Sequence, residues 1–260
     1  MRSTPRWHAF LPLLAVLGTG VSAQDRAFTN QYTFGDSLSD SGNAFAMLGN
    51  RINAGPPAYV GGRWSNGPVW AEQLGNTLAL GLTTPTAVKS SMNFAFGSAA
   101  TTQALNNGGS PVPALPGQLQ MFQSHAVAVQ RSDLFTVWLG ANDLLVTAAT
   151  PTTFTNPGAM DVAGANAARA SAGLVQSLIN LGAKNILVLN MPDIGLTPTG
   201  MASGAGSFLT RGSLAFNAEF DPRLRAIAAS ATDVSVTRID AGGLIAQVQR
   251  AFRQLGFATA

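Results

Sequence analysis

The stretch FGDSLSDSGN, Phe34 to Asn43, closes an apolar run and sets a serine on the turn. Upstream of it, FTNQYTF (28–34) has the aromatic and β-branched content of a strand. Its Gly-Asp-Ser ending puts Ser37 where a strand gives way to a helix start, with hydroxyl and N–H able to face one cleft. Helix N-termini favour developing negative charge there. The same letters also read as plain punctuation, since Asp36, Ser37, Asp40 and Ser41 are all residue types that cap helices. A serine hydroxyl attacks an ester carbonyl only when a base takes its proton. The stretch therefore raises one question: which residue supplies that base.

Short apolar runs alternate with longer helical patterns along the rest of the chain. PVWAEQLGNTLAL (68–80) is helical, with Pro68 in the first turn and Trp70, Leu74 and Leu78 on one face. SMNFAF (91–96) is a short strand ending at Gly97, GQLQMFQSHAVAVQ (117–130) has helical spacing, and DLFTVWL (133–139) is a buried strand. A long Ala-rich helix lies within 156–183, stopped by Gly182. NILVLN (185–190) and DVSVTRID (233–240) are the fourth and fifth strands, with a helical segment around 208–231 between them and another helix begun at 241–257. Strands alternating with helices predict a parallel sheet covered on both faces. Segments 50–67, 98–116 and 191–207 are rich in Gly, Pro and Ser and are expected to shape a cleft. No repeat, charge block or linker divides the sequence, so one domain is expected over 24–260.

Residues 1–23 read as an export leader. Arg2 and Arg6 form a positive start, AFLPLLAVLGTG (9–20) is apolar, and VSA (21–23) is a small-residue cleavage site, so the mature chain is expected to begin at Gln24, periplasmic or secreted. The apolar run is short for a bilayer span, and no later segment is long enough. Without Arg2 and Arg6 the charge balance is 13 basic against 12 acidic residues, or +1 rather than the formal +3. The basic residues form no phosphate-tracking stripe, which argues against a nucleic-acid partner. The chain has no cysteine. That excludes thiol catalysis, thiolate metal sites and disulfides. The low charged fraction of 10% beside 46% apolar residues fits a compact fold and excludes bulk disorder.

Polar residues follow each of the first three strands: Gly-Asp-Ser at 35–37, Gly97-Ser98, and Gly-Ala-Asn-Asp at 140–143. The carboxyl ends of parallel strands open on one edge, where ligands bind. Ser37, Gly97 and Asn142 are therefore expected to converge. Ser37 offers a nucleophile, a backbone N–H at Gly97 approaches substrate without a Cβ in the way, and the Asn142 amide donates without bringing charge. Together they supply a nucleophile and three donors for a tetrahedral oxyanion. Taken one at a time, each is better explained by capping or a turn, but capping does not predict this set of three together.

FGDSLSDSGN resembles the first block of the GDSL esterase/lipase family of the SGNH hydrolase superfamily. NFAFGSAAT (93–101) is similar to its glycine block, and VWLGANDLL (137–145) to its Gly-x-Asn-Asp block. RWSNGPVWAEQLG (63–75), LPGQLQMF (115–122) and NILVLNMPDIGLTP (185–198) resemble the secreted lipase and phospholipase-like branch. The resemblance implies a flavodoxin-like three-layer α/β/α sandwich around five parallel strands. It implies acyl transfer through Ser37, with oxyanion donors at Ser37 N–H, Gly97 N–H and the Asn142 side chain. It implies no metal or organic cofactor, and a small-molecule acyl ester or lipid as substrate.

The family's last block, Asp-x-x-His, supplies the base, and these 260 residues do not contain it. His8 falls in the leader. His125 precedes the third strand and is expected on a sheet face, away from the catalytic edge. Asp193 and Asp240 follow the fourth and fifth strands, but neither has a histidine three residues on, and both read as caps. Asp36 and Asp40 are near Ser37, yet a carboxylate of ordinary pKa is a weak base for a hydroxyl. The expectation is a hydrolase truncated at its C-terminus, feeble or inactive as it stands. The alternative is a pseudoenzyme that binds an acyl or sugar ligand in the same cleft.

Overall fold

The computed structural model describes residues 28–49, 59–81, 91–107, 110–125, 128–156 and 158–256. The expected leader and part of the expected loop at 50–67 lie outside these residues. The strands are β1 (Asn30–Gly35), β2 (Met92–Asn93), β3 (Leu105–Asn107), β4 (Ser110–Val112), β5 (Asp133–Trp138), β6 (Asn185–Leu189) and β7 (Ser235–Ile239). Five of them form one parallel sheet in the order β2-β1-β5-β6-β7, while β3 and β4 pair antiparallel apart from it. The expected α/β sandwich with five parallel strands is the observed class. The chain steps from β1 to β2 on one side, then crosses back past β1 to β5. Strand order thus reverses between β1 and β5, the place where open parallel sheets bind ligands. The register sets Gly35 beside Trp138, so the turns after both strands open together.

The helices are α1 (Asn43–Met47), α2 (Trp70–Thr77), α3 (Leu115–Ser124), α4 (Ala141–Ala148), α5 (Pro151–Thr155), α6 (Gly158–Asn180), α7 (Pro198–Ala202), α8 (Gly206–Ser230) and α9 (Ala241–Ala251). Alternation along the strands sends Tyr32, Phe34, Phe135, Val137, Ile186 and Val188 into one core with α3, α6 and α8. Rings of Tyr32, Phe34, Phe94, Phe122 and Phe135 meet there at centroid distances of 5.1–5.9 Å. The Ala- and Gly-rich make-up of α6 has a packing cause. Gly164 lies against the backbone of α8 at Gly212, where any Cβ would collide with the carbonyl.

The opposite face carries α2 and α9 and is more polar. Gln31 Nε2 donates to Thr33 Oγ1 (3.1 Å) and to Ala71 O (3.0 Å) on α2, and Thr136 Oγ1 donates to Thr33 Oγ1 (2.9 Å). Trp138, Leu189 and Ala241 form a small apolar cluster beside them, flanked by Trp70 and Ile245.

Several elements differ from the sequence expectation. The strand expected over 91–96 is regular only at Met92 and Asn93, although Phe94 and Phe96 N–H still donate to Thr33 O (2.7 Å) and Gly35 O (3.2 Å) of β1, and the expected loop 98–116 contains the β3–β4 pair. Helix α3 ends at Ser124, short of the expected 130, and Gln130 is held in a turn before β5: its N–H donates to Asp133 Oδ2 (2.8 Å) and its carbonyl accepts from Asp133 N–H (3.1 Å). Pro68 precedes the N-cap Val69 of α2 instead of standing in its first turn.

Candidate active site

β1 ends at Gly35, whose N–H donates to Gln118 Oε1 (3.0 Å) and whose carbonyl accepts from Gln118 Nε2 (2.8 Å). The chain then turns, with Asp36 O accepting the N–H groups of Ser39 (3.0 Å) and Asp40 (2.9 Å). The helix start expected at Ser37 goes no further than that turn, and α1 begins only at Asn43. Carboxylates replace the helix as partners of the turn's N–H groups. Asp36 Oδ1 accepts from Leu38 (3.0 Å), while Asp40 accepts from Gly42 (2.8 Å), Asn43 (2.6 Å) and Ala44 (3.1 Å). Ser37 is half-buried on this turn beside exposed Leu38, and neither its hydroxyl nor its N–H has a hydrogen-bond partner among the described residues.

The glycine segment is stitched directly to that turn. Asn93 Nδ2 donates to Ser39 O (2.7 Å) and Ser41 Oγ (3.0 Å), and Asn43 Nδ2 donates to Asn93 O (2.7 Å) and Ala95 O (2.8 Å). Gly97 reaches the site, but its N–H, expected to face substrate, donates to Asp40 Oδ2 at 2.7 Å. Its missing Cβ serves packing, since a Cβ at 97 would coincide with the indole nitrogen of Trp64. That nitrogen is buried with no acceptor. Arg63 holds the Trp64 turn by pairing both ends of its guanidinium with Glu72, Nε to Oε2 at 2.6 Å and Nη2 to Oε1 at 2.5 Å. Ser98 sits at φ 69°, a left-handed conformation that is uncommon for serine and is a local strain.

The third segment leaves β5 through Gly140, whose φ of 121° and closeness to Phe216 and Met191 both demand glycine. It delivers Asn142 and Asp143 in the first turn of α4. Asn142 Nδ2 donates to Ala99 O (2.8 Å), which leaves its second N–H for a ligand. Asp143 accepts from Thr101 N–H (3.0 Å) and Thr101 Oγ1 (2.7 Å). The expected convergence of the 37, 97 and 142 segments is therefore met through hydrogen bonds between neighbouring residues.

Three carboxyls underlie this arrangement. Asp36 is 1% exposed, its Oδ2 has no partner, and burial, with nearby Asp143 and Asp40 adding, pushes it up to about 7. Burial also raises Asp40 and Asp143, against the lowering effect of their N–H and hydroxyl donors. Their oxygens face backbone and Thr101, and no group of three His, Asp or Glu among the described residues is arranged to hold a metal ion.

Among the described residues, no base is hydrogen-bonded to Ser37. Asp36 has a proton affinity suited to neutral pH, but its unpartnered Oδ2 makes no hydrogen bond to the Ser37 hydroxyl. His125 caps the far end of α3, its Nδ1 2.7 Å from Met121 O and its ring edge-to-face on Phe94. Seven residues along the helix from Gln118, it lies about 10 Å down the axis from the Gly35 contact. Asp193 caps the 3-10 turn Ile194–Leu196 and accepts from Thr210 Oγ1 (2.7 Å), as its cap reading predicts. Asp240 caps α9 and accepts from Asn190 Nδ2 (2.8 Å). Gly243 N–H, then Asn190, hold its carboxyl below the ordinary value. Sequence reasoning missed Asp40 as the clasp between two segments, and it missed Trp64 over Gly97. Asp40 had a local signal, an acidic residue just before Ser-Gly-Asn, while Trp64 had none.

A family model described as GDSL-like lipase/acylhydrolase matches residues 32–255. The phosphatidylcholine-sterol acyltransferase of Aeromonas hydrophila is 35% identical over 202 residues, covering 73% of this chain and 53% of that protein. Lipase 1 of Photorhabdus luminescens is 30% identical over 189 residues, 73% of this chain and 26% of that protein. The secreted effector protein SseJ of Salmonella typhimurium is 30% identical over 188 residues, 71% of this chain and 40% of that protein. The chain spans about half the length of the first of these relatives and less of the other two. With the three sequence blocks meeting at the switch point of a five-stranded parallel sheet, these matches establish that the chain belongs to the GDSL-like lipase/acylhydrolase family.

Proposed function

We propose that the chain, read as one domain over 24–260, is an exported serine ester hydrolase in which Ser37 attacks the acyl carbonyl. The observation that carries this reading is a half-buried, unpartnered Ser37 hydroxyl on a turn that Asp40 clasps to the Gly97 segment, whose Ala99 carbonyl takes one Asn142 N–H and leaves the other to spare. Ser37 Oγ adds to the carbonyl carbon, and the oxyanion accepts from Ser37 N–H and Asn142 Nδ2–H. The alcohol leaves with a proton, and water then releases the acid from the Ser37 ester. Gly97 N–H joins as a third donor only when Asp40 lets it go. The lipid-acting names of two relatives support lipid acyl esters as substrates, and the name of the third supports export.

Proton removal from Ser37 is the weak step, since the 260 residues hold no Asp-x-x-His and no base among the described residues is hydrogen-bonded to the hydroxyl. Oxyanion donors and binding alone sustain a residual rate about 10³–10⁴ above water. The chain by itself is thus expected to turn over p-nitrophenyl butyrate slowly, and a fluorophosphonate is expected to label Ser37 slowly. Labelling that persists in Ser37→Ala overturns the assignment of the nucleophile. The lack of a hydrogen-bonded base among the described residues also favours a second reading, a cleft that binds acyl groups without turnover. Complete resistance to the fluorophosphonate, with retained binding of a fluorescent fatty acid, selects that reading.

A further inference from the structure

The buried corner behind Ser37 holds three carboxyls, and they are not equally provided for. Asp40 accepts the N–H groups of Gly42, Asn43, Ala44 and Gly97, and Asp143 accepts Thr101 N–H and Oγ1. Asp36 Oδ1 accepts from Leu38 N–H, while its Oδ2 is buried without a partner. The residue is 1% exposed, so bulk water does not supply what the protein withholds.

The charges that face Asp36 are both negative, Asp143 at the start of α4 and Asp40 on its own turn. Arg63, whose charge acts on Asp40, already pairs with Glu72. From α3, the partner of the adjoining Gly35 is the neutral Gln118. A carboxylate that accepts several N–H bonds stays ionised when buried, whereas a poorly supplied one keeps its proton. A neutral hydroxyl without an acceptor costs far less than an ion in the same place. The proton of this corner therefore belongs on Asp36. Burial, with Asp143 and Asp40 adding, pushes its value up to about 7.

We propose that Asp36 is a positioning residue that must hold its proton for Ser37 to receive an oxyanion. The inference deepens the hydrolase reading and rests on it. Asp36 and Ser37 share the peptide whose N–H is an oxyanion donor, so an ionised Asp36 sets a second negative charge close to the developing one. At a separation of about 6 Å, the scale of adjacent residues, that repulsion slows addition about tenfold or more. Protonated, the same side chain leaves the Ser37 and Asn142 donors unopposed.

The test compares fluorophosphonate labelling of Ser37 in the parent and in Asp36→Asn between about pH 5.5 and 8.5, scored per folded molecule by circular dichroism at each pH. Asp36→Asn keeps an acceptor for Leu38 N–H and cannot ionise. Its labelling rate relative to the parent's is expected to rise about tenfold or more across that range, because the parent alone acquires the charge. Any pH dependence of Ser37 itself cancels in the ratio. A purely structural Asp36 shifts the ratio equally at every pH, and a constant ratio overturns the proposal. A second variant, Asp143→Asn, lifts a facing negative charge, so the bend in the labelling profile is expected at lower pH; an unmoved or raised bend overturns the proposal as well.

Infrared difference spectra of parent against Asp36→Asn read the proton without any reaction. A protonated carboxyl band is expected at about pH 5.5 and is expected to be gone at about pH 8.5. A carboxylate already ionised at the lower pH overturns the proposal. If the band behaves as expected while no protein is labelled at any pH, the hydrolase reading falls, and with it the role of the proton but not its place.

Discussion

The two ends of the sheet are held together very differently. Around β1 and β2, buried polar side chains bind backbone at short range: Gln118 on Gly35, Asn43 and Asn93 across the turn, and Asp40 on four N–H groups. At the other end β7 is half-exposed along its length, and only Ala241 of α9 is buried. Among the described residues, Asn190 between Asp240 and Gly242 joins β6 to α9, and Gln249 Nε2 donates to Leu196 O (3.1 Å) farther along α9. The nucleophile's end is thus over-determined by hydrogen bonds, while the β7–α9 end has few. Polar contacts are concentrated where donors must be preorganised.

Removing Asp40 is the strongest way to break this contrast. Asp40→Ala leaves the N–H groups of Gly42, Asn43, Ala44 and Gly97 without their acceptor in a buried turn. Each unsatisfied buried donor costs about 1–3 kcal/mol, so a loss of at least about 4 kcal/mol is expected. Urea unfolding reads it directly. A loss below about 1 kcal/mol would mean that the β1–β2 end is not stiffened by this clasp.

The second test asks what the buried charge costs. Asp36 has a folded value of about 7 against 3.8 for the free group, so the folded protein binds the proton more tightly than the unfolded chain. Stability is then fully present below the unfolded value and falls as pH rises through 3.8 toward about 7. The loss is on the order of 4 kcal/mol once Asp36 is ionised. Burial of Asp40 and Asp143 acts with the same sign. Asp36→Asn keeps an oxygen for the Leu38 N–H and removes the titration. It is expected to be more stable than the parent at pH 8 and to flatten the dependence between pH 4 and 7. An unchanged pH profile in urea unfolding would show that Asp36 ionises without penalty.

The same contrast explains what the sequence revealed. Alternating strands and helices, the three polar strand ends and the convergence of Ser37, Gly97 and Asn142 segments were all legible, because topology alone brings those ends to one edge. The cap roles of Asp193 and Asp240 were legible too, since capping is local. Partners distant in sequence were not. Nothing near Gly97 announces that Asp40 takes its N–H, or that Trp64 covers its Cα. The helix start expected at Ser37 stops at one turn for the same reason: beyond the Asp40 N–H bond to Asp36 O, the carboxylates of Asp36 and Asp40 take the N–H groups of Leu38, Gly42 and Asn43.

The smallest effect tests the lightly held end. Asp240→Ala removes the cap of α9, where the carboxylate accepts from Gly243 N–H (3.1 Å) and from Asn190 Nδ2. Losing an N-cap costs about 1 kcal/mol, and the site is largely exposed, so water replaces part of what is lost. The expected change in global stability is therefore about 1 kcal/mol or less. Hydrogen exchange should show more than that figure does. Amides of β7 and α9 are expected to exchange faster than those of β1 and β5 in the parent chain, and faster still in the variant, with β1 untouched. If β1 amides accelerate together with α9, the two ends open as one unit, and the division between a stiff nucleophile end and a loose β7–α9 end fails.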